Sequence, residues 1–339
     1  MKSNLILRNR SLYLLLLVLS VFVTTSCSDD EDDSTTIGYW TKDSDFAGVA
    51  RKSAVSFTIG DKVYVTTGYD GKSRLTDLWE FDPAKSSWTR KADFPGKARS
   101  GAVGFAANGK GYVGTGYDAS ESFKDFWEYN PETNTWTQVA DFPGTARYGA
   151  VALAIADKGY VGAGYDGNHL KDFWMFDPAT GQWQEKVGLI GAKRLYAFAF
   201  TLNGKGYIGG GRNNGIYEAD FLEYTPETDT WRKMKSLNST DRDTDVESFP
   251  SPRASAATFE IGGRGYLVGG TTGSIMGDVW EYEPSTDIWT QRTSLSGTAR
   301  ESAVAFAIGN YGYVVTGAYS TYNFDDMWKY NPSLNSDGE

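Results

Sequence analysis

The stretch Asp77-Leu78-Trp79-Glu80-Phe81-Asp82-Pro83-Ala84-Lys85-Ser86-Ser87-Trp88 returns as Asp125-Phe126-Trp127-Glu128-Tyr129-Asn130-Pro131-Glu132-Thr133-Asn134-Thr135-Trp136. In each copy an aromatic run, a Pro-containing turn and a second tryptophan follow one aspartate. All eleven tryptophans of the 339-residue chain fall into these two registers. Trp79, Trp127, Trp174, Trp280 and Trp328 form the first; Trp40, Trp88, Trp136, Trp183, Trp231 and Trp289 form the second, nine residues on. A recurrence of about 47–48 residues marks a tandem array. Leu222 fills the one vacant slot, nine residues before Trp231. Trp40 has no partner before it and Trp328 none after it, so the two ends of the array complement each other.

Outward from that stretch, one unit runs from Arg99 to Pro143. Arg99–Phe105 alternates small and apolar residues, Asn108-Gly109 is a turn, and Gly111–Gly116 is a second strand. A loop over 117–124 leads to a third strand, Asp125–Tyr129, and a fourth begins at Thr135. Short aromatic and β-branched runs between Asn-Gly and Pro-containing turns are hairpin chemistry. Four antiparallel strands in a unit of this length predict a propeller blade and an all-β fold. Arg51, Arg99, Arg147, Arg194, Arg253 and Arg300 mark six expected first-strand starts, each followed three residues later by alanine. Six tyrosines (Tyr64, Tyr112, Tyr160, Tyr207, Tyr266, Tyr313) head the second strands. Six aspartates (Asp77, Asp125, Asp172, Asp220, Asp278, Asp326) precede the third. The orphan segment Trp40-Thr41-Lys42-Asp43-Ser44-Asp45-Phe46 matches Trp88–Phe94, so a strand over 39–46 is expected to complete the last blade and remove the open edge. The expected fold is a six-bladed β-propeller over 39–334, with blades starting near 51, 99, 147, 194, 253 and 300 and a tail over 335–339.

The first 26 residues read as a secretory signal: Lys2, Arg8 and Arg10, then an apolar run from Leu12 to Val23. That run is shorter than the about 20 residues a spanning helix needs. Cys27 is the only cysteine, which excludes an internal disulfide. Thr24-Thr25-Ser26-Cys27 resembles a bacterial lipoprotein cleavage site, which implies acylation at Cys27. The acidic Ser28–Asp33 behind it resembles the surface-export signal of Bacteroidetes lipoproteins, so 27–38 reads as an acidic tether. An outer-membrane lipoprotein, facing the cell surface and touching the membrane only through its N-terminal lipid, is expected. Loss of Lys2, Arg8 and Arg10 takes the formal charge from −10 to −13. So acidic a chain is a poor partner for nucleic acid.

The pattern Arg-x-x-Ala, then Tyr-Val-x-Thr-Gly-Tyr-Asp-Gly, then Asp-Leu-Trp-Glu-Phe-Asp-Pro and Trp resembles the kelch motif from residue 40 to 332. The usual Gly-Gly doublet is intact at Gly210-Gly211 and Gly269-Gly270, and is Thr67-Gly68, Thr115-Gly116, Ala163-Gly164 and Thr316-Gly317 elsewhere. The resemblance implies a fold that hosts many activities and selects none.

A residue found in all six units is most simply structural, whereas one that breaks the repeat needs another reason. By that test the arginines and aspartates form a scaffold set, paired near the channel mouth. The alternative is a basic ring binding an anion on the axis. Loops between second and third strands share one rim with the links between blades. Tyr69-Asp70, Tyr117-Asp118 and Tyr165-Asp166 stand there in units 1–3, and unit 4 replaces them with Arg212-Asn213 and Tyr217-Glu218. Aromatic faces and carboxylates suit a glycan; these ten residues are the candidate binding set for a glycan or protein partner. The insertion Ser236–Pro252 lies on the same rim. Within it Asp241, Asp243, Asp245 and Glu247 alternate as hard-cation ligands do, but no glycine stands at the sixth position, and a solvated acidic loop is expected. No cofactor or other metal site is expected. His169 is the single histidine, which leaves no nucleophilic triad and no histidine-rich metal site; copper oxidases resembling galactose oxidase need two histidines and a cysteine-modified tyrosine. The chain therefore reads first as a binding or scaffold module. The alternative is a sugar epimerase or mutarotase, because six-bladed N-acetylneuraminate epimerases resemble it in architecture. In that family a loop glutamate and an arginine six residues on do the acid/base and carboxylate-binding work; Arg212 and Glu218 have this spacing with the charges reversed.

Overall fold

The computed structural model describes residues 37–239 and 249–338. Every regular element among them is a strand, arranged as six four-stranded antiparallel sheets and two short hairpins. In blade 1 the strands run, from the axis outward, Val55–Ile59, Lys62–Thr66, Leu78–Asp82 and Ser87–Lys91. Blades 2 to 5 repeat this order. Each inner strand touches the next and the sixth touches the first, which closes the six-bladed propeller. The outer strand of blade 6 is Ile37–Lys42, paired with Met327–Asn335. The closing strand thus begins two residues before the expected 39 and ends at 42, and its partner runs one residue beyond the expected 334. Ile37 and Gly38, expected in the tether, belong to this strand; Cys27, the rest of the tether, and the candidate carboxylates Asp241, Asp243, Asp245 and Glu247 lie outside the described residues.

Inner strands start four residues after the arginines, not at them. The cause is the residue two after each arginine: Ser53, Gly101, Gly149, Tyr196, Ser255 and Ser302 all have φ between 54° and 62°, which no strand residue adopts. Their amides form a closed ring. Ser53 N–H donates to Ser302 C=O (2.9 Å), Ser302 to Ser255 (2.8 Å), Ser255 to Tyr196 (2.9 Å), Tyr196 to Gly149 (2.8 Å), Gly149 to Gly101 (2.9 Å) and Gly101 back to Ser53 (3.0 Å). Six bonds, each worth about 1 kcal/mol net, tie the blades together at the upper mouth of the channel.

The arginines themselves are buried clamps. Arg51 donates through Nε to Val49 C=O (2.9 Å) and through Nη1 to Thr67 C=O (3.0 Å). Its two Nη atoms take both oxygens of Asp77 (2.6 and 2.7 Å). Trp79 Nε1 donates to the same carboxylate (2.6 Å), so the first tryptophan register is a donor set as well as packing. Blades 2, 3, 5 and 6 copy the arrangement with Arg99–Asp125–Trp127, Arg147–Asp172–Trp174, Arg253–Asp278–Trp280 and Arg300–Asp326–Trp328. With every guanidinium at most 1 % exposed and held by an aspartate of its own blade, the alternative of a basic ring for an axial anion is overturned. Blade 4 departs: Leu222 cannot donate, Arg194 reaches Asp220 through Nη2 alone (2.5 Å), and Asp220 Oδ1 is buried without a partner.

The carbonyl each Nη1 binds belongs to the first residue of the Gly-Gly-like doublet, which also has positive φ. Gly210 and Gly269 accept this freely; Thr67, Thr115 and Thr316 do not, and their hydroxyls are buried without partners. Left-handed backbone costs a residue with Cβ about 1–2 kcal/mol, more than the entropy a glycine forfeits. Thr115→Gly should therefore raise stability by about 1 kcal/mol in urea unfolding, and an unchanged or lower midpoint would refute this account of the doublet.

The core lies between blades. Six apolar clusters each draw on two neighbouring sheets; in one, Val55, Phe57 and Tyr64 of blade 1 meet Val113 and Tyr129 of blade 2. Outer-strand tryptophans add bonds across the gaps, as Trp136 Nε1 does to Ala92 C=O (2.9 Å).

Candidate functional site

The rim above the upper mouth carries an aromatic strip drawn from three blades. Arg74 stacks over Tyr69 (4.7 Å) and over Tyr117 (5.0 Å). Tyr117 stacks on Tyr148 (4.2 Å), and Tyr148 meets Tyr165 edge-on (5.6 Å). His169 closes the strip against Tyr165 (5.0 Å). Backbone bridges hold these residues: Tyr165 pairs with both Tyr148 and His169, as Tyr117 does with Ser100 and Ser122.

At the blade 3–blade 4 end the strip folds into a cleft of about 250 Å³ lined by Tyr148, Tyr165, His169, Leu195, Tyr196, Arg212 and Gly215. Tyr196 connects this cleft to the channel, because it is also the one large side chain among the residues lining the upper mouth. The other positions of the amide ring hold serine or glycine. Glycine at 149 suits this neighbour, since a Cβ there would stand 3.0 Å from the Tyr196 ring and the ring would have to give way. Burial, with Tyr117 and Tyr148 beside it, raises the Tyr196 hydroxyl above its ordinary value, so it is a neutral donor at any physiological pH. Burial and then the Arg212 cation lower the His169 imidazole, with Glu218 acting the other way, which leaves it neutral at pH 7.

Arg212 sits on a hairpin that pairs Arg212–Asn213 with Ile216–Tyr217. Asn214 and Gly215, both with positive φ, make the two-residue turn (47° and 87°). The guanidinium is exposed and forms no ion pair with Glu218 or any other carboxylate of the described residues.

The sequence-derived candidates separate into groups. Tyr69, Tyr117 and Tyr165 belong to the strip, and Tyr165 and Arg212 border the cleft. Asp70, Asp118 and Asp166 staple their own loops. Asp70 accepts from the Lys72 and Ser73 amides (2.7 and 2.6 Å), Asp118 from Ser120 and Glu121 (2.8 and 2.9 Å), and Asp166 from Asn168 (2.9 Å). The Ser120 hydroxyl and these amides hold the Asp118 carboxyl down at about 2. Asn213, Tyr217 and Glu218 do not line the cleft. Four further residues join the site, Arg74, Tyr148, Tyr196 and His169, none of them among the sequence-derived candidates. The signal for Tyr196 was present, since Arg-x-(Ser/Gly)-Ala holds in five units and reads Arg194-Leu195-Tyr196-Ala197 in the fourth.

Comparison with known families matches residues 40–146 to the KLHDC2/KLHL20/DRC7 Kelch-repeats domain and residues 146–186 and 252–296 to the Kelch motif. No curated protein matches the sequence. Among solved structures, that of YjhT is similar over 83 % of this chain and 95 % of its own, with a TM-score of 0.71 and 20 % identity. At that identity the likeness concerns the fold. As many as 939 solved chains match, so the fold alone selects no activity.

Proposed function

The chain belongs to the kelch-repeat β-propellers, and from that premise we propose that it is a binding module whose ligand, a glycan, sits in the rim cleft between blades 3 and 4. One observation carries this: Tyr196, a bulky residue in the left-handed region, stands where every other blade has serine or glycine, and it faces the cleft. Strain of about 1–3 kcal/mol at a single position persists where function uses it. The tyrosines offer flat apolar faces for a pyranose ring, while Arg212 and the neutral Tyr196 hydroxyl offer donors to its oxygens. A lipid at Cys27 would anchor the chain at the outer membrane, as the resemblance of Thr24-Thr25-Ser26-Cys27 to a lipoprotein cleavage site suggests.

A glycan array with the lipid-free chain identifies the sugar, and calorimetry then measures Tyr196→Gly. The expected result is an affinity at least about tenfold lower, as for a central aromatic anchor, with the fold retained because glycine occupies that ring position in blades 2 and 3. No ligand on the array, or unchanged affinity in Tyr196→Gly, would sink the proposal; capture of a protein at the same residues would replace the glycan by a protein partner.

Sugar epimerisation is the second possibility. It is favoured by Arg212, which borders the cleft with no carboxylate of the described residues engaged, and by Glu218, close enough to act on His169. Anomer exchange of N-acetylneuraminate followed by NMR decides it: no acceleration over buffer, or no loss in Glu218→Gln, ends the idea.

A further inference from the structure

The channel has a second mouth, opposite the tyrosine rim, and its wall breaks the repeat once. Inner strands turn small side chains toward the axis, and at the lowest level these are Thr58, Ala106, Ala154, Thr201, Glu260 and Ala307. Glu260 is the one charged side chain among the described residues lining the bore. It borders a lower vestibule of about 380 Å³.

The inner edge of each blade has no strand beside it, so its amides and carbonyls face the bore. Between blades 3, 4 and 5 side chains stitch these edges. Thr201 Oγ1 donates to Ala154 C=O (3.0 Å), Thr258 Oγ1 donates to Ala199 C=O (2.7 Å), and the Thr201 amide donates to Glu260 Oε1 (2.5 Å). The second carboxylate oxygen accepts nothing from the described residues. Alanine at 106, 154 and 307 and threonine at 58 complete this level without a counter-charge.

We propose that the lower mouth binds a protonated primary amine, with Glu260 as its anionic partner and inner-edge carbonyls as its other acceptors. An anion is disfavoured beside a carboxylate. A calcium ion takes about 6–8 oxygen ligands, several of them charged, and no group of three acidic, histidine or cysteine side chains exists among the described residues. A primary ammonium has three donors in a compact head, which one carboxylate oxygen and neighbouring carbonyls satisfy. Glu260 is exposed to the vestibule and so open to a ligand, while the surrounding walls of the bore push its carboxyl up to about 7, with the Thr201 amide opposing. A bound cation restores the missing partner, so amine affinity should rise with pH through about 7 and level off above. No other titratable side chain faces Glu260 from the neighbouring inner strands.

The test follows the Glu260 carboxyl by ¹³C NMR in glutamate-labelled protein, titrated in methylammonium chloride and in potassium chloride at equal ionic strength. The expected result is a midpoint lower by about half a pH unit or more in methylammonium than in potassium. Glu260→Gln keeps the acceptor for the Thr201 amide and should fold, yet should lose the methylammonium-induced shifts of bore amides. Equal midpoints in the two salts would overturn the proposal. So would undiminished methylammonium shifts in Glu260→Gln.

Discussion

A chain that starts at Asp43 should fail to hold its sixth blade and should self-associate. The lost segment Ile37–Lys42 pairs with the third strand of blade 6 through Tyr39↔Asn331, Trp40↔Tyr330, Thr41↔Lys329 and Lys42↔Trp328. Trp40 is 3 % exposed, lies 4.8 Å from the Tyr330 ring and donates to Thr293 C=O of blade 5 (3.1 Å). The Thr293 amide in turn donates to Ile37 C=O (3.2 Å), so the strand also joins two blades. Removing one buried tryptophan side chain costs about 3–5 kcal/mol, and each ladder bond adds about 1 kcal/mol. The sum reaches the about 5–15 kcal/mol that holds a domain folded. Met327–Asn335 would become a bare edge ready to pair with another chain. Size-exclusion chromatography and thermal melting of the truncated chain check this, with a peptide of residues 37–46 added in trans as the rescue. A monomeric truncated chain melting within a few degrees of the intact one would show that closure contributes little.

That closure was legible because it depends only on the repeat: a tryptophan eleven residues before Arg51 occupies the same slot as Trp88 before Arg99. Slots transfer from blade to blade, and so did the pairing of arginines with aspartates. Backbone handedness does not show in a residue name. Ser53 or Thr67 in the left-handed region looks like any other serine or threonine, and the inner strands were accordingly started four residues early. The rim site was harder still. Tyr148, Tyr165, Tyr196 and Arg212 come from four successive links and loops, and only the side-by-side packing of blades 3 and 4 brings them together. The same holds for Glu260, whose isolation appears when five other inner strands surround it. Blade 4 was flagged by Leu222 and by its loop, and the structure adds Tyr196 and the orphaned Asp220 oxygen to that sector. The assembly rules relax most where the candidate site lies.

This relaxation makes the arginine clamps unequal, and a pair of variants measures the difference. Arg99→Met removes a guanidinium bound to Lys97 C=O, Thr115 C=O and both oxygens of Asp125, and leaves all four acceptors behind. Breaking a buried ion pair from one side costs about 3–5 kcal/mol. The Asp125 side chain is 24 % exposed, so water recovers part of this and the lower end is expected. Arg194→Met should cost about 1 kcal/mol less, because Arg194 holds Asp220 by a single Nη2 contact, and Asp220 Oδ1 is already unpaired. The pH dependence follows the same geometry. Burial opposes ionisation of Asp125, but the Arg99 and Trp127 donors outweigh it and hold the carboxyl below its ordinary 3.8. A carboxyl depressed in the folded state stabilises above the unfolded value and loses that contribution as pH falls through the folded one. Urea unfolding should therefore show wild-type stability falling below about pH 4, with a shallower fall in Arg99→Met because its clamp is already gone. Equal losses at pH 7 for the two variants would mean that the second Asp–Arg contact adds nothing. Blade 4 would then need another reason for having given it up.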